Sequence, residues 1–188
     1  MRIVAGELGG RVLRAPHGDA TRPTSEKVRE ALFSILGPPS PQDCVLDLFA
    51  GAGGLGIEAL SRGAAHATFV DSSRAAISAL QQNVSALQLG PRVTILTADA
   101  IRAVTTLRPP AGATWRWVFI DPPYRSDLAV RAATALPAEV MSAHTVIVIE
   151  HDRRNAPPDQ LGTLLRTDLR RYGDTLISLY RPEQPCLP

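Results

Sequence analysis

Cys44-Val-Leu-Asp-Leu-Phe-Ala-Gly-Ala-Gly-Gly-Leu-Gly56 joins an apolar run to a cluster of glycines, and an apolar helical pattern (Leu55, Ile57, Ala59, Leu60) follows at once. Such a stretch reads as a strand, a tight turn and a helix N-terminus, the place where an α/β sheet holds a nucleotide-like ligand. Glycine lacks the Cβ that would keep a ligand away from the backbone.

Working outward, strand and helix patterns alternate. Strands are expected at Val45 to Phe49, Ala67 to Asp71, Val93 to Leu96, Trp117 to Asp121 and His144 to Glu150. Helices are expected at Gly54 to Arg62, Ser73 to Leu89, Ile101 to Leu107 and Leu128 to Leu136. This alternation predicts a parallel sheet with helical crossovers. Two further strand-like runs, Leu164 to Arg171 and Thr175 to Tyr180, flank Gly173-Asp174, a hairpin signal that adds one antiparallel strand. Before the core, Met1 to Pro16 reads as a β-hairpin about Gly9-Gly10. A helix capped by Thr24 or Ser25 then runs from Glu26 to Leu36, and Gly37-Pro38-Pro39-Ser40-Pro41 ends it. The expected organisation is an N-terminal hairpin and helix over 1–40 and an α/β domain over 41–188.

At 188 residues one domain with a small extension is expected. A formal charge of +2 permits a nucleic-acid partner without demanding one. Lys27 is the single lysine, so the positive charge is carried by arginine, whose planar fork suits phosphate and base contacts. Cys44 and Cys186 make neither a disulfide framework nor a metal site. None of His17, His66, His144 or His151 sits at a ligand spacing, and no metal is expected. Met1 to Gly10 lacks the apolar segment of a signal peptide, and no apolar run approaches a membrane span of about 20 residues. A cytoplasmic protein with no membrane partner is the expectation.

Gly51-Ala52-Gly53-Gly54-Leu55-Gly56 matches G-x-G-x-x-G, and Asp71 ends the second strand, placed to accept from ribose hydroxyls. Taken alone, this permits NAD. Asp47, however, puts an acid inside the first strand, where it needs a partner: an amino-acid ammonium, ordered water, or neighbouring loop amides. Asp121-Pro122-Pro123-Tyr124 decides between the readings. It emerges at the same carboxyl edge as the glycine loop, held rigid because proline restricts itself and the residue before it. Asp121 and the Pro122 carbonyl can accept from an exocyclic amino group while the Tyr124 ring stacks on a heterocycle.

DLFAGAGGLG, the acid ending strand two, Asp99 after strand three and Asp-Pro-Pro-Tyr after strand four together resemble S-adenosylmethionine-dependent methyltransferases of exocyclic amino groups. Arg2-Ile3-Val4-Ala5-Gly6 with Gly10-Arg11-Val12-Leu13, Thr21-Arg22-Pro23-Thr24 through Lys27 to Phe33, and Gly56 to Ala64 narrow the resemblance to the RsmD family. These are the guanine-N2 methyltransferases of small-subunit (16S) ribosomal RNA, of the guanine-966 type.

The resemblance implies a Rossmann-like class I S-adenosylmethionine-dependent methyltransferase fold. Its sheet would have seven strands, mostly parallel with one antiparallel, alongside the N-terminal β-hairpin and helix. It implies S-adenosyl-L-methionine as cofactor, with Asp47, Phe49, Ala50, Gly51 and Gly53 at the methionine end. Asp71 would take the ribose and Asp99 the adenine amino group, with Ser72 and Ala100 also among the cofactor-binding residues. Asp99 could equally cap the helix at Ile101. Asp121, Pro122, Pro123 and Tyr124 would hold the target guanine, and Arg2, Arg11, Arg22 and Arg29 would contact RNA. The partner implied is 16S rRNA in the small subunit or its assembly intermediate, met by a monomer. Competing readings are a DNA amino-methyltransferase, a protein glutamine methyltransferase (which would carry Asn at Asp121), an NAD-linked oxidoreductase and a non-catalytic RNA-binding protein.

Overall fold

Strand β1 (Cys44–Leu48) is buried at every position. Cys44, Leu46 and Leu48 face one core and Val45 the other, as the two-residue period of a strand covered on both faces requires. A computed structural model describes residues 1–16, 25–110, 112–123 and 127–183. The Gly18-to-Pro23 loop, Arg22, Thr24, Tyr124 and Cys186 lie outside these residues.

Around β1 stand β2 (His66–Asp71), β3 (Val93–Thr97), β4 (Trp115–Ile120) and β5 (Val146–His151), all parallel. The C-terminal strands β6 (Gln160–Leu161), β7 (Leu164–Tyr172) and β8 (Thr175–Pro182) complete the order β3-β2-β1-β4-β5-β8-β7-β6. β8 is antiparallel to both β5 and β7, so β7 runs with the parallel set. The seven expected strands and the one reversed among them are present. The eighth, β6, is additional: two residues pair with Leu164 and Leu165 across a turn whose Gly162 has φ 61°.

Helices cover both faces. α1 (Glu26–Leu36), α2 (Gly54–Ser61) and α3 (Arg74–Ala86) pack on the Val45, Phe69, Trp117 and Phe119 side; α4 (Ala100–Val104) and α5 (Leu128–Thr134) pack on the Leu46, Val118 and Ile147 side. α1 has the bounds expected of it and is capped by Ser25 Oγ accepting from the Val28 N–H at 3.3 Å. Its Phe33 ring meets Trp117 edge-on at 5.6 Å, an arrangement worth about 1 kcal/mol beyond the area it buries. Among the described residues no helix is long and apolar enough to cross a membrane.

The N-terminal hairpin is smaller than expected. Arg2 and Val12 form a single bridge, closed by Ile3 N–H to Arg11 O and Leu13 N–H to Met1 O. The pairing stops there because the chain between is drawn onto α2. Glu58 accepts from the amides of Val4 (2.7 Å) and Ala5 (3.0 Å), and Ser61 Oγ accepts from Leu8 N–H at 3.0 Å. Amides given to side chains cannot serve a ladder.

Candidate active site

β1 delivers the chain to Phe49, whose φ of 62° places a bulky residue in the left-handed region. Such a conformation costs of order 1–3 kcal/mol and persists where its surroundings over-determine it. Here the Ala50 N–H donates to Val70 O at 3.0 Å, and Phe49 packs partly into the second core. Gly51 N–H then donates to Asp71 Oδ2 at 2.8 Å, and Gly53, at φ 85°, caps α2. The glycines do different things. A Cβ on Gly53 would come within 2.5 Å of Leu80 and one on Gly56 within 2.3 Å of Phe69, whereas one on Gly51 would meet nothing within 4 Å. Gly53 and Gly56 allow close packing; Gly51 borders open space.

Asp47 lies on the α2 side of β1, 2% exposed. Its Oδ2 accepts from the Gly56 N–H at 2.9 Å, in the first turn of α2, so one backbone amide of the helix partners this acid. Burial pushes its pKa up to about 8; the Gly56 hydrogen bond opposes the shift and the charge of Asp71 adds to it. A carboxyl so placed is poised to ionise when a cation arrives.

Register sets the rest of the site. Leu48 is level with Val70 on β2 and with Ile120 on β4, Val70 with Leu96, and Ile120 with Ile149. One residue further, Phe49, Asp71 and Asp121 leave three adjacent strands together at the carboxyl edge, with Glu150 on β5 beside them. Asp71 accepts from Gly51 N–H through one oxygen and from Ser73 N–H, at 2.8 Å, through the other. That double tie joins the glycine loop to the start of α3, and Ser72 between them is exposed. Asp99 is exposed and caps α4, its Oδ1 accepting from Arg102 N–H at 2.9 Å; Ala100 is the first, buried residue of that helix. Asp121 is half-buried, Pro122 buried and Pro123 exposed. The structure therefore gathers Asp47, Phe49 to Gly53, Asp71 and Asp121 with its prolines.

The arginines divide. Arg2 and Arg11 are exposed, and Arg2 Nη1 donates to Gly10 O. Arg29, expected among the RNA contacts, is 1% exposed. Its guanidinium donates to the Arg2 carbonyl, and burial lowers its pKa against the opposing charge of Glu58. It holds the N-terminal segment onto α1 from inside, where a phosphate does not reach.

Two residues outside the expected site tie that segment to the loop. Glu58, fully buried, also accepts from Arg62 Nε at 2.8 Å. Its signal in the sequence is a lone acid in the apolar run Gly56 to Leu60. Asn83 accepts from Arg14 N–H at 2.8 Å and donates to Arg14 O and to Ala52 O. Nothing local marks it, since its partners lie 69 and 31 residues away.

The family described as conserved hypothetical protein 95 matches residues 1–181. The chain is 38% identical over 183 residues to the protein YlbH of Bacillus subtilis, covering 96% of this chain and 98% of that one. To ribosomal RNA small subunit methyltransferase D of Escherichia coli it is 35% identical over 159 residues, 84% of this chain and 78% of the other. The solved structure of yhhF from Escherichia coli superposes with a TM-score of 0.81 at 32% identity, covering 97% of this chain and 98% of that one. This chain thus belongs to the conserved hypothetical protein 95 family, the RsmD family of ribosomal RNA small subunit methyltransferases.

Proposed function

We propose that this protein transfers the methyl group of S-adenosylmethionine to N2 of a guanine in 16S rRNA, of the guanine-966 type, on the assembled or assembling small subunit. The observation that carries the reading is the shared level of Phe49, Asp71 and Asp121 on three adjacent strands. The glycine loop on the central strand stands between an acid for a ribose and an acid for an amine.

The residues present fit the cofactor. Gly51 borders open space, Asp71 has lone pairs left after two backbone bonds, and the raised pKa of Asp47 suits an ammonium nearby. When bound, the cofactor supplies an electrophilic sulfonium methyl. Asp47 and Phe49 to Gly53 would bind its methionine end, Asp71 and Ser72 its ribose, and Asp99 and Ala100 its adenine. Asp99 can still do so while capping α4, because the cap uses one oxygen.

Asp121 and the Pro122 carbonyl would accept the two N2 hydrogens of the guanine. The lone pair on N2 is delocalised into the ring, and accepting those hydrogens draws the nitrogen toward sp³ and frees the pair for in-line attack; the proton that the methylated nitrogen sheds would leave through the Asp121 carboxylate to water. Pro122 and Pro123 keep the acceptors aimed, and Tyr124 would stack on the base once it leaves its own stack. Arg2, Arg11 and Arg22 would meet RNA phosphate from the N-terminal segment, with the chain acting as a monomer.

The test is incubation with labelled S-adenosylmethionine and, separately, protein-free rRNA, small subunits lacking the modification, and duplex DNA, followed by nucleoside mapping. Label on N2-methylguanosine in rRNA or subunits is expected. Label only in DNA, or on another nucleoside, overturns the reading. Asp121→Ala is expected to lower transfer at least ~10²-fold while cofactor binding by calorimetry persists.

A further inference from the structure

The carboxyl edge of the sheet continues past Asp121 to β5, β8 and β7. Between residues 152–154, which follow β5, and the β7–β8 turn lies a groove of about 300 Å³, lined by Asp152, Arg153, Arg154, Arg171, Asp174 and Leu176. Its position follows from register. His151 pairs with Leu176, and Leu176 with Arg171, a row one residue beyond the level of Glu150 and hence of Asp121. The groove therefore opens on the same edge as the site, two to three strand spacings away, or ~10–14 Å.

Three guanidiniums, those of Arg153, Arg154 and Arg171, converge on it, together with the carboxylates of Asp152 and Asp174. Arg153, Arg154 and Arg171 are all exposed and form no salt bridge among the described residues, although the charge of Arg154 acts on Asp152 beside it. Of the two acids present, Asp152 uses Oδ1 within its own turn, accepting from Arg154 N–H, Asn155 N–H and Asn155 Nδ2, each at 2.8 to 2.9 Å. Arg171 is held in place, its Nε donating to Gly173 O at 3.0 Å, which leaves the two Nη groups as a fork. Guanidinium forks match phosphate oxygens bidentately, and the Leu176 floor can pack beneath a sugar.

We infer that this groove holds a phosphodiester of the RNA strand whose target base enters the site at Asp121. The inference rests on the reading of RNA as substrate. It assigns the segment after Glu150 a docking role, on the opposite side of the site from Arg2 and Arg11. A base presented at Asp121 would then be flanked by two phosphate-binding points, which fixes the strand's path across the sheet edge.

The test uses the full chain and small subunits that lack the modification. Arg153→Gln with Arg154→Gln leaves the hairpin intact, because both side chains are exposed and neither belongs to β7 or β8; adding Arg171→Gln completes the set. Subunit binding is expected to weaken about tenfold in the double variant and further in the triple. The slope of log affinity against log salt should become shallower by about 0.7 for each phosphate no longer neutralised. The corresponding Lys variants should recover part of both. Cofactor affinity, read by calorimetry, stays at the wild-type value. Wild-type affinity and salt slope in the triple variant overturn the groove, as does a loss seen on duplex DNA and not on subunits. The reaction is judged separately. If wild-type protein methylates subunits and the triple variant binds them unchanged, the groove falls and the reaction stands. If wild-type protein transfers no methyl but the variants bind subunits more weakly, the groove stands and the reaction falls.

Discussion

The carboxamide of Asn83 holds Arg14 and Ala52 together: it donates to both carbonyls, at 3.1 and 3.0 Å, and accepts from the Arg14 amide at 2.8 Å. One α3 side chain thus fastens the N-terminal segment to the glycine loop at the residue after Gly51. Asn83→Ala leaves buried polar groups without partners, at about 1–3 kcal/mol each. A loss of about 2–4 kcal/mol in unfolding free energy is expected by denaturant titration, together with weaker S-adenosylmethionine binding. Unchanged cofactor affinity in a folded Asn83→Ala protein would show that the tie does not reach the loop.

Gly51 and Gly56 should separate binding from packing. Gly56→Ala drives a methyl into Phe69 and is expected to cost about 2–3 kcal/mol, as overpacking does. Gly56→Ala with Phe69→Leu should recover part of that loss. Gly51→Ala meets no neighbour and bears only the strain of its φ of 55°, about 1 kcal/mol. Its cofactor affinity should nonetheless fall at least ~10-fold, because the new methyl enters the space the ligand needs. Thermal melts and calorimetry on the two variants check the contrast; equal effects on both would remove it.

Asp47 predicts the pH dependence of the unliganded protein. Its folded pKa of about 8 stands above the ordinary 3.8, so the folded state holds the proton longer than the unfolded chain does. The stability this group contributes is therefore complete below pH ~4 and lost as pH rises through the folded pKa. Asp47→Asn should flatten that decline, gaining about 1–3 kcal/mol over wild type near pH 8, while weakening cofactor affinity. Chemical denaturation at a series of pH values is the measurement; parallel curves for the two proteins would refute the assignment. A ligand ammonium beside Asp47 should also release a proton on binding, seen as buffer-dependent calorimetric heats.

Features written in neighbouring residues are the legible ones. β1 with its glycine turn, α1 with its Ser25 cap, and the β7–β8 hairpin at Gly173-Asp174 are each specified within about a dozen residues. That Asp71 and Asp121 emerge at one carboxyl edge follows from the alternation of strands and helices, whereas their common level is set by register. Asp99 carries two readings because cap and ligand acid look alike in sequence, and the cap is what the fold displays. Where sequence and fold part, the cause is shared: partners distant along the chain. Arg29 looks like a surface cation until Arg2 and α2 close over it. The Met1 to Pro16 hairpin looks complete until Glu58 takes the Val4 and Ala5 amides. Gly53 and Gly56 look like ligand glycines alone, whereas packing against Leu80 and Phe69 also requires them.

The bonds of Glu58 and Asn83 also carry an order of assembly. Val4 finds its acceptor 54 residues downstream and Arg14 its partner 69 residues downstream. During synthesis, residues 1–14 are made well before α2 and α3 exist to receive them, and pairings of such separation close late. The arm that ties to the glycine loop is translated early and seated only once α2 and α3 have followed it, so the loop lacks this support until then.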